Sequence, residues 1–151
     1  IEIEIIELEA GEIHKNIGTC TEVWAALSEL GADRKSIVLN LGGGVVSDMG
    51  GFIASTYKRG IDYIQIPSTL LSMVDSSIGG KTGIDNIYGK NQIGTIYLPK
   101  KIIIDITLLD SYYNNGLPVQ DEYKTKHLHR WIVEILSHYS LEKLCTGYHI
   151  S

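Results

Sequence analysis

The sequence is poor in cysteine, in positive charge and in long apolar runs, and each shortage argues against a class of protein. Its 151 residues hold two cysteines, Cys20 and Cys145, far apart and in no CxxC pair. A disulfide framework or a cysteine-rich zinc site is not expected, and a reducing, cytoplasmic setting is. Thirteen Lys and Arg stand against eighteen Asp and Glu, a net charge of −5. No sequence-wide basic field draws the chain to nucleic acid or to an acidic membrane surface, and no segment interleaves basic and aromatic residues as a single-strand groove would. No apolar run approaches membrane-spanning length. The opening IEIEIIELEAGE has no basic n-region, so it is not a secretory signal. An initiator Met is also lacking, and the expectation is a fragment or a processed product whose first element precedes Ile1. Internal repeats and low-complexity segments are absent as well.

What is present is an alternation of short apolar strands with helices. Ile1, Ile3 and Ile5 recur at period two and read as a strand, with a break or bulge where Ile6 and Leu8 change phase. TCTEVWAALSELGA places Val23, Ala26, Leu27 and Leu30 at helical spacing, with Thr19 or Thr21 as cap and Gly31 at C′. SIVLNL (36–41) is a strand broken by Gly42-Gly43-Gly44. VVSDMGGFIASTYKRG follows as a helix, with Val46, Met49, Phe52, Ile53 and Tyr57 toward the core, Asp48 in its first turn and Gly60 at its stop. DYIQIP (62–67) is a strand, STLLSMVDSSI a helix capped by Ser68 or Thr69, and KIIIDI (101–106) a further strand. The pattern predicts an α/β fold, a Rossmann-like domain with a parallel sheet, over residues 1–111. Residues 112–151 form a divergent tail in which Leu128, Ile132, Ile135, Leu136 and Tyr139 predict an amphipathic helix.

Two glycine-rich stretches carry chemistry. A strand, then Gly42-Gly43-Gly44, then a helix start is the layout of a pyrophosphate site, because glycine lets backbone approach phosphate and helix N-terminal N–H groups point at it. The GxGxxG pattern is met only in part, since Ser47 stands where the third glycine falls, and such turns also occur without a ligand. The second stretch, SIGGKTGID (77–85), ends like a P-loop. Counting back five positions from Gly80 reaches Asp75 rather than glycine, and the preceding segment is helical, so that reading fails. There remains a turn bearing Lys81, followed by Lys90 and Asn91. With Asp75 these could line a pocket for a phosphorylated or polyhydroxylated ligand; spacing alone favours a surface loop with solvated lysines.

AGEIHK (10–15), LGGGVVSDMGGFIASTYKRG (41–60), IQIPSTLLSMVDSSIGGKTGID (64–85) and GKNQIG (89–94) occur in that order, and together they resemble the 3-dehydroquinate synthase family of the shikimate pathway from about Ala10 to Ser111. The resemblance implies NAD in a Rossmann-like domain and a divalent metal, zinc or cobalt, held by an α-helical domain that is expected to be absent from this chain. It implies a sugar-acid phosphate as substrate and a homodimer as assembly. Cofactor contacts are implied at Glu12, Ile13, His14 and Lys15, at Gly43, Gly44, Val45 and Asp48, at Ser68 and Thr69, at Lys81 and Lys90, and at Leu108, Leu109, Asp110 and Ser111. Catalytic or substrate-pocket roles are implied for Arg59, Asp75, Lys81, Lys90 and Asn91. The same motifs are shared by related cyclases such as 2-deoxy-scyllo-inosose synthase, and a truncated chain that at most binds NAD is the third reading.

Beyond Ser111 the pattern departs from the family. SYYNNGLPVQDEYKTK replaces the family's metal-ligand motif, and Glu122 is out of its register. His127 and His129 are two apart on an expected helix and point away from each other, and with His138 and His149 they form no ligand spacing. No metal ligand is therefore assigned. Ser68 stands for the family's threonine and keeps a hydroxyl.

Overall fold

A computed structural model describes residues 2–109 and 129–135. Strand β1 (Glu2–Leu8) leads through a 3-10 turn (Glu12–His14) to helix α1 (Ile17–Glu29). Strand β2 (Ile37–Gly42), helix α2 (Gly44–Thr56) and strand β3 (Asp62–Pro67) follow, with β2 and β3 parallel, then a π-helical turn at Ser72–Ser76. Strands β4 (Lys81–Asn86) and β5 (Gly89–Ile96) form a separate antiparallel hairpin. The short β6 (Lys101–Ile102) and β7 (His129–Ile135) complete the described elements.

The main sheet runs β1-β7-β2-β3-β6. Its expected parallel part is β2–β3–β6, in register from Ile37 opposite Asp62 to Gly42 opposite Pro67. The other side is antiparallel: β7 lies between β1 and β2 and opposes both. Here the helix expected in the tail is corrected over residues 129–135. The stretch holds Trp131, Ile132, Val133 and Ile135, aromatic and β-branched residues that favour the pleated strand, and sheet pairing overrides the helical spacing. Residues 110–128 and 136–151 lie outside the described residues, and with them the remaining expectations for the tail.

Alternation decides which side of each strand is buried. Val38 and Tyr63 point to the helices and join Val23, Leu27, Met49 and Ile53 in the main core, while Ile37 and Ile64 form a smaller cluster on the other face with Leu39 and Ile66. The phase change expected in β1 is no bulge. Its pairing with β7 is unbroken, Ile6 and Leu8 pack on the core, and Ile3 and Ile5 take the opposite, exposed face.

Helix ends depart from the sequence reading by a few residues. Asn16, in extended conformation, caps α1 by accepting a hydrogen bond from the Thr19 N–H at 3.1 Å, so the cap is neither Thr19 nor Thr21. Gly31 at φ +74 closes the helix in the left-handed conformation expected of it. Helix α2 starts at Gly44, which puts Asp48 in its second turn rather than the first. It ends at Thr56, ahead of Lys58 and Arg59, whose φ angles of 48 and 69 are left-handed. The strand expected over 101–106 pairs only at Lys101–Ile102. Asp105 Oδ1 accepts from the Thr107 N–H and hydroxyl and turns the chain.

Candidate functional site

The parallel strands β2, β3 and β6 bring three loops to one edge of the sheet. Gly43 to Val45 follow β2, Ser68 and Thr69 follow β3, and Leu108 and Leu109 come soon after β6. In open α/β sheets this carboxyl edge is where ligands sit. Ser68 N–H donates to the Gly42 carbonyl at 2.9 Å and ties two of the loops together. Gly43 is the N-cap of α2 and has no side chain to cap it. The first N–H groups of this 13-residue helix therefore face the loop with no side-chain acceptor from the cap position. Ser76 Oγ lies beside Gly44, 3.5 Å from the place a Cβ would take, and is buried without a hydrogen-bond partner. Donors, bare glycine backbone and an unsatisfied hydroxyl suit the phosphates of a dinucleotide.

A charge cluster built around one buried lysine stands beside this edge. Lys15, only 3% exposed, reaches the Asp48 carboxylate with Nζ–Oδ2 of 2.6 Å and the Asn91 side-chain carbonyl with Nζ–Oδ1 of 2.5 Å. Burial pushes the Asp48 carboxyl above its ordinary range; the Lys15 hydrogen bond and charge pull it back, while Glu12 and Asp75 add to the rise. Asn91 takes a left-handed φ of 55, and its N–H donates to Asp85 Oδ1 at 2.8 Å. Each member comes from a different element: the end of the 3-10 turn, α2 and the hairpin.

Two cavities flank the cluster. One, of about 530 Å³, is lined by Asp48, Asp75, Ser76, Lys81, Thr82 and Asn91 among others. The other, of about 560 Å³, takes Glu12, Ile13, Lys15 and Asp85 in its wall, with Ile87 and Tyr88. The structure thus brings Lys15, Asp48, Asp75, Lys81 and Asn91 together. Lys90 is 71% exposed and pairs with Glu12 at 3.2 Å on the surface. His14 turns to Glu9, 3.3 Å away. Arg59 is exposed past the far end of α2, about 12 Å of helix beyond Asp48 at its Thr56 end. Asp110 and Ser111 lie outside the described residues.

Thr82, Gln92 and Thr95 line the first cavity and were not singled out by the sequence. The available signal was Asn86 followed by Gly89: Asn86 Oδ1 accepts from the N–H groups of Tyr88 and Gly89 and makes the hairpin turn. Among the described residues no three His, Cys, Asp or Glu side chains are grouped to hold a metal ion. The described part does not fit the divalent metal that the resemblance implies. No helix among those residues is long and apolar enough to cross a membrane.

The sequence profile described as 3-dehydroquinate synthase N-terminal matches residues 5–138. A 3-dehydroquinate synthase of Prochlorococcus marinus subsp. pastoris is 51% identical over 76% of this chain and 32% of its own length. One from Campylobacter jejuni subsp. doylei is 50% identical over 77% and 33%. Among solved structures, a 2-epi-5-epi-valiolone synthase of Streptomyces hygroscopicus subsp. jinggangensis with NAD+ and Zn2+ bound superposes with a TM-score of 0.65 at 39% identity, over 68% of this chain and 29% of that one. A 2-deoxy-scyllo-inosose synthase complexed with carbaglucose-6-phosphate, NAD+ and Co2+ gives 0.64 at 31%, over 66% and 28%. The chain spans about a third of the length of the curated relatives it matches. With the α/β fold, the glycine turn at the carboxyl edge and the profile match all in agreement, the chain belongs to the 3-dehydroquinate synthase N-terminal family.

Proposed function

We propose that this chain is the NAD-binding part of a 3-dehydroquinate synthase. In that reading the complete protein converts 3-deoxy-D-arabino-heptulosonate 7-phosphate to 3-dehydroquinate with release of phosphate. The observation that carries the reading is the uncapped, glycine-led N-terminus of α2 with the Lys15–Asp48–Asn91 cluster one turn further on. Gly43, Gly44 and Val45 would take the pyrophosphate on backbone N–H groups, Ser68 and Thr69 would line the neighbouring loop, and Asp48 would face the nicotinamide half. When bound, NAD would supply reversible acceptance of hydride from the carbon that bears a substrate hydroxyl. Lys81, 33 residues beyond Asp48 in sequence but in the same cavity, offers a cation to substrate phosphate, and Asn91 a polar contact. Lys15 holds Asp48 in place and compensates its charge.

Relatives at 48% identity and above carry the 3-dehydroquinate synthase name, whereas the cyclase structures are 31–39% identical, which favours this substrate over those of the related cyclases. For the described residues alone the proposal is binding, since no metal-holding group is among them. Phosphate release from the heptulosonate phosphate, with NAD and zinc added, tests the split. The expected result is calorimetric NAD binding without enzyme-like turnover. Sustained phosphate release by this chain would defeat the binding-only reading, and turnover of another cyclase substrate instead would defeat the assignment of substrate.

A further inference from the structure

Besides Ile84, which is buried in the main core, and the surface Lys90–Glu12 pair, two sets of hydrogen bonds tie the hairpin β4–β5 to the rest of the molecule. At its outer end the Asp85 N–H donates to the Lys15 carbonyl at 2.8 Å, and Lys15 Nζ donates to Asn91. At its inner end a ladder of hydroxyls runs back to α2. Thr82 and Thr95 hydroxyls lie 2.7 Å apart, Thr95 Oγ1 donates to Ser55 Oγ at 2.9 Å, and Ser55 Oγ donates to the Phe52 carbonyl at 2.7 Å.

Between these ties α2 offers a bare surface. A Cβ at Gly51 would overlap Thr82 Cγ2 and stand 3.2 Å from Thr82 Cβ, so only glycine admits β4 this close. Thr82 and Gly51 are both buried. The distance between α2, which bears Asp48, and the hairpin, which bears Asn91, is therefore set at this contact. Any outward step of β4 draws Asn91 from Lys15 and leaves a buried ammonium with one oxygen partner fewer.

We infer that Gly51, Thr82, Thr95 and Ser55 are positioning residues of the site: their contact seats Asn91 on buried Lys15, the partner of Asp48. The inference deepens the proposed reading by taking that pair as part of the dinucleotide site, but its test reads Lys15 directly and needs no cofactor. Thr82 and Thr95 also line the cavity of about 530 Å³, and the role inferred for all four is the one exerted through the hairpin.

The test uses the full chain as wild type, G51A, T82S and the double variant G51A/T82S. Each is treated with a small amine-acetylating reagent well below its melting temperature, and Lys15 is quantified by peptide mass spectrometry against exposed Lys90. Thiol labelling of Cys20, fully buried in α1, reports global opening in parallel. Lys15 should be protected in the wild type and in T82S. In G51A its modification should rise about tenfold while Cys20 stays protected, as local opening requires. The double variant lacks the overlapping methyl but keeps the hydroxyl, so it should return most of the way. Lys15 protection in folded G51A, a parallel rise at Cys20, or no recovery in the double variant overturns the inference. If G51A does not fold, T95V decides, since it breaks the ladder without adding bulk: Lys15 should again become reactive with Cys20 protected, and an unreactive Lys15 overturns the inference.

Discussion

Lys15 is a lysine that the chain buries almost completely, and the cost is offset by Asp48 and Asn91. Removing one partner of such a pair leaves the other charge buried and uncompensated. K15M should lower stability by up to about 3 kcal/mol, with Asp48's partial exposure holding the loss below the fully buried case. The pH dependence has a definite sign. Asp48 titrates above its unfolded value, so the folded state holds its proton more tightly, and the carboxyl's contribution to stability declines as pH rises from the unfolded pKa through the folded one. K15M removes the lowering influences named for Asp48 and should raise that carboxyl further. Denaturation from pH 4 to 7 should show the deficit of K15M growing with pH, and carbon NMR of the carboxyl should show the higher midpoint. A constant deficit would mean that Lys15 does not govern Asp48. None of this was legible in the sequence. AGEIHK shows a lysine after a turn, and its burial arises only when the hairpin closes over it.

Between elements, α2 is seated by its two central glycines, one against each neighbour. Gly50 faces the sheet, where a Cβ would overlap the Asn40 amide, and Gly51 faces the hairpin. Asn40 is buried with neither amide atom bonded, and Gln65, its neighbour across the parallel pair, donates to the Ser47 carbonyl at 2.9 Å. G50A should cost about 1–3 kcal/mol through overpacking, and the double variant N40A/G50A should recover most of that loss, since the new methyl enters the volume the amide gives up. Thermal unfolding of the wild type, N40A, G50A and N40A/G50A checks this; additive losses would show that the two residues do not compete for space. Strands β2 and β3 and helices α1 and α2 were legible because apolar patterning agrees there with glycine or proline stops. The hairpin was not. Its β5 strand is mostly exposed and polar, and Gly83 and Gly94, paired across it, carry no pattern. The strand β7 was read as helix because Ile132, Ile135 and Leu136 also fit a helical stripe; a partner on each side settles it as strand.

For the molecule as a whole, the α/β order and the glycine turn after β2 were legible in the sequence, and the structure puts that turn at the carboxyl edge of the parallel strands. Four ordered motifs placed the family, and a profile match over residues 5–138 agrees. Arg59 is the residue whose implied place in the pocket is least explained by the described residues. It is exposed, in left-handed conformation, beyond the far end of α2. The N-terminus of α2 and the loop after β3 are the proposed NAD site, with Asp48 beside them. Amide NMR of the labelled chain during an NAD titration tests it most directly. Saturable shifts are expected at Gly43, Gly44, Val45, Asp48, Ser68 and Thr69, smaller ones at Asn91, and unchanged signals on the outer face of β1. No shifts at millimolar NAD, or shifts confined to residues away from that edge, would contradict it.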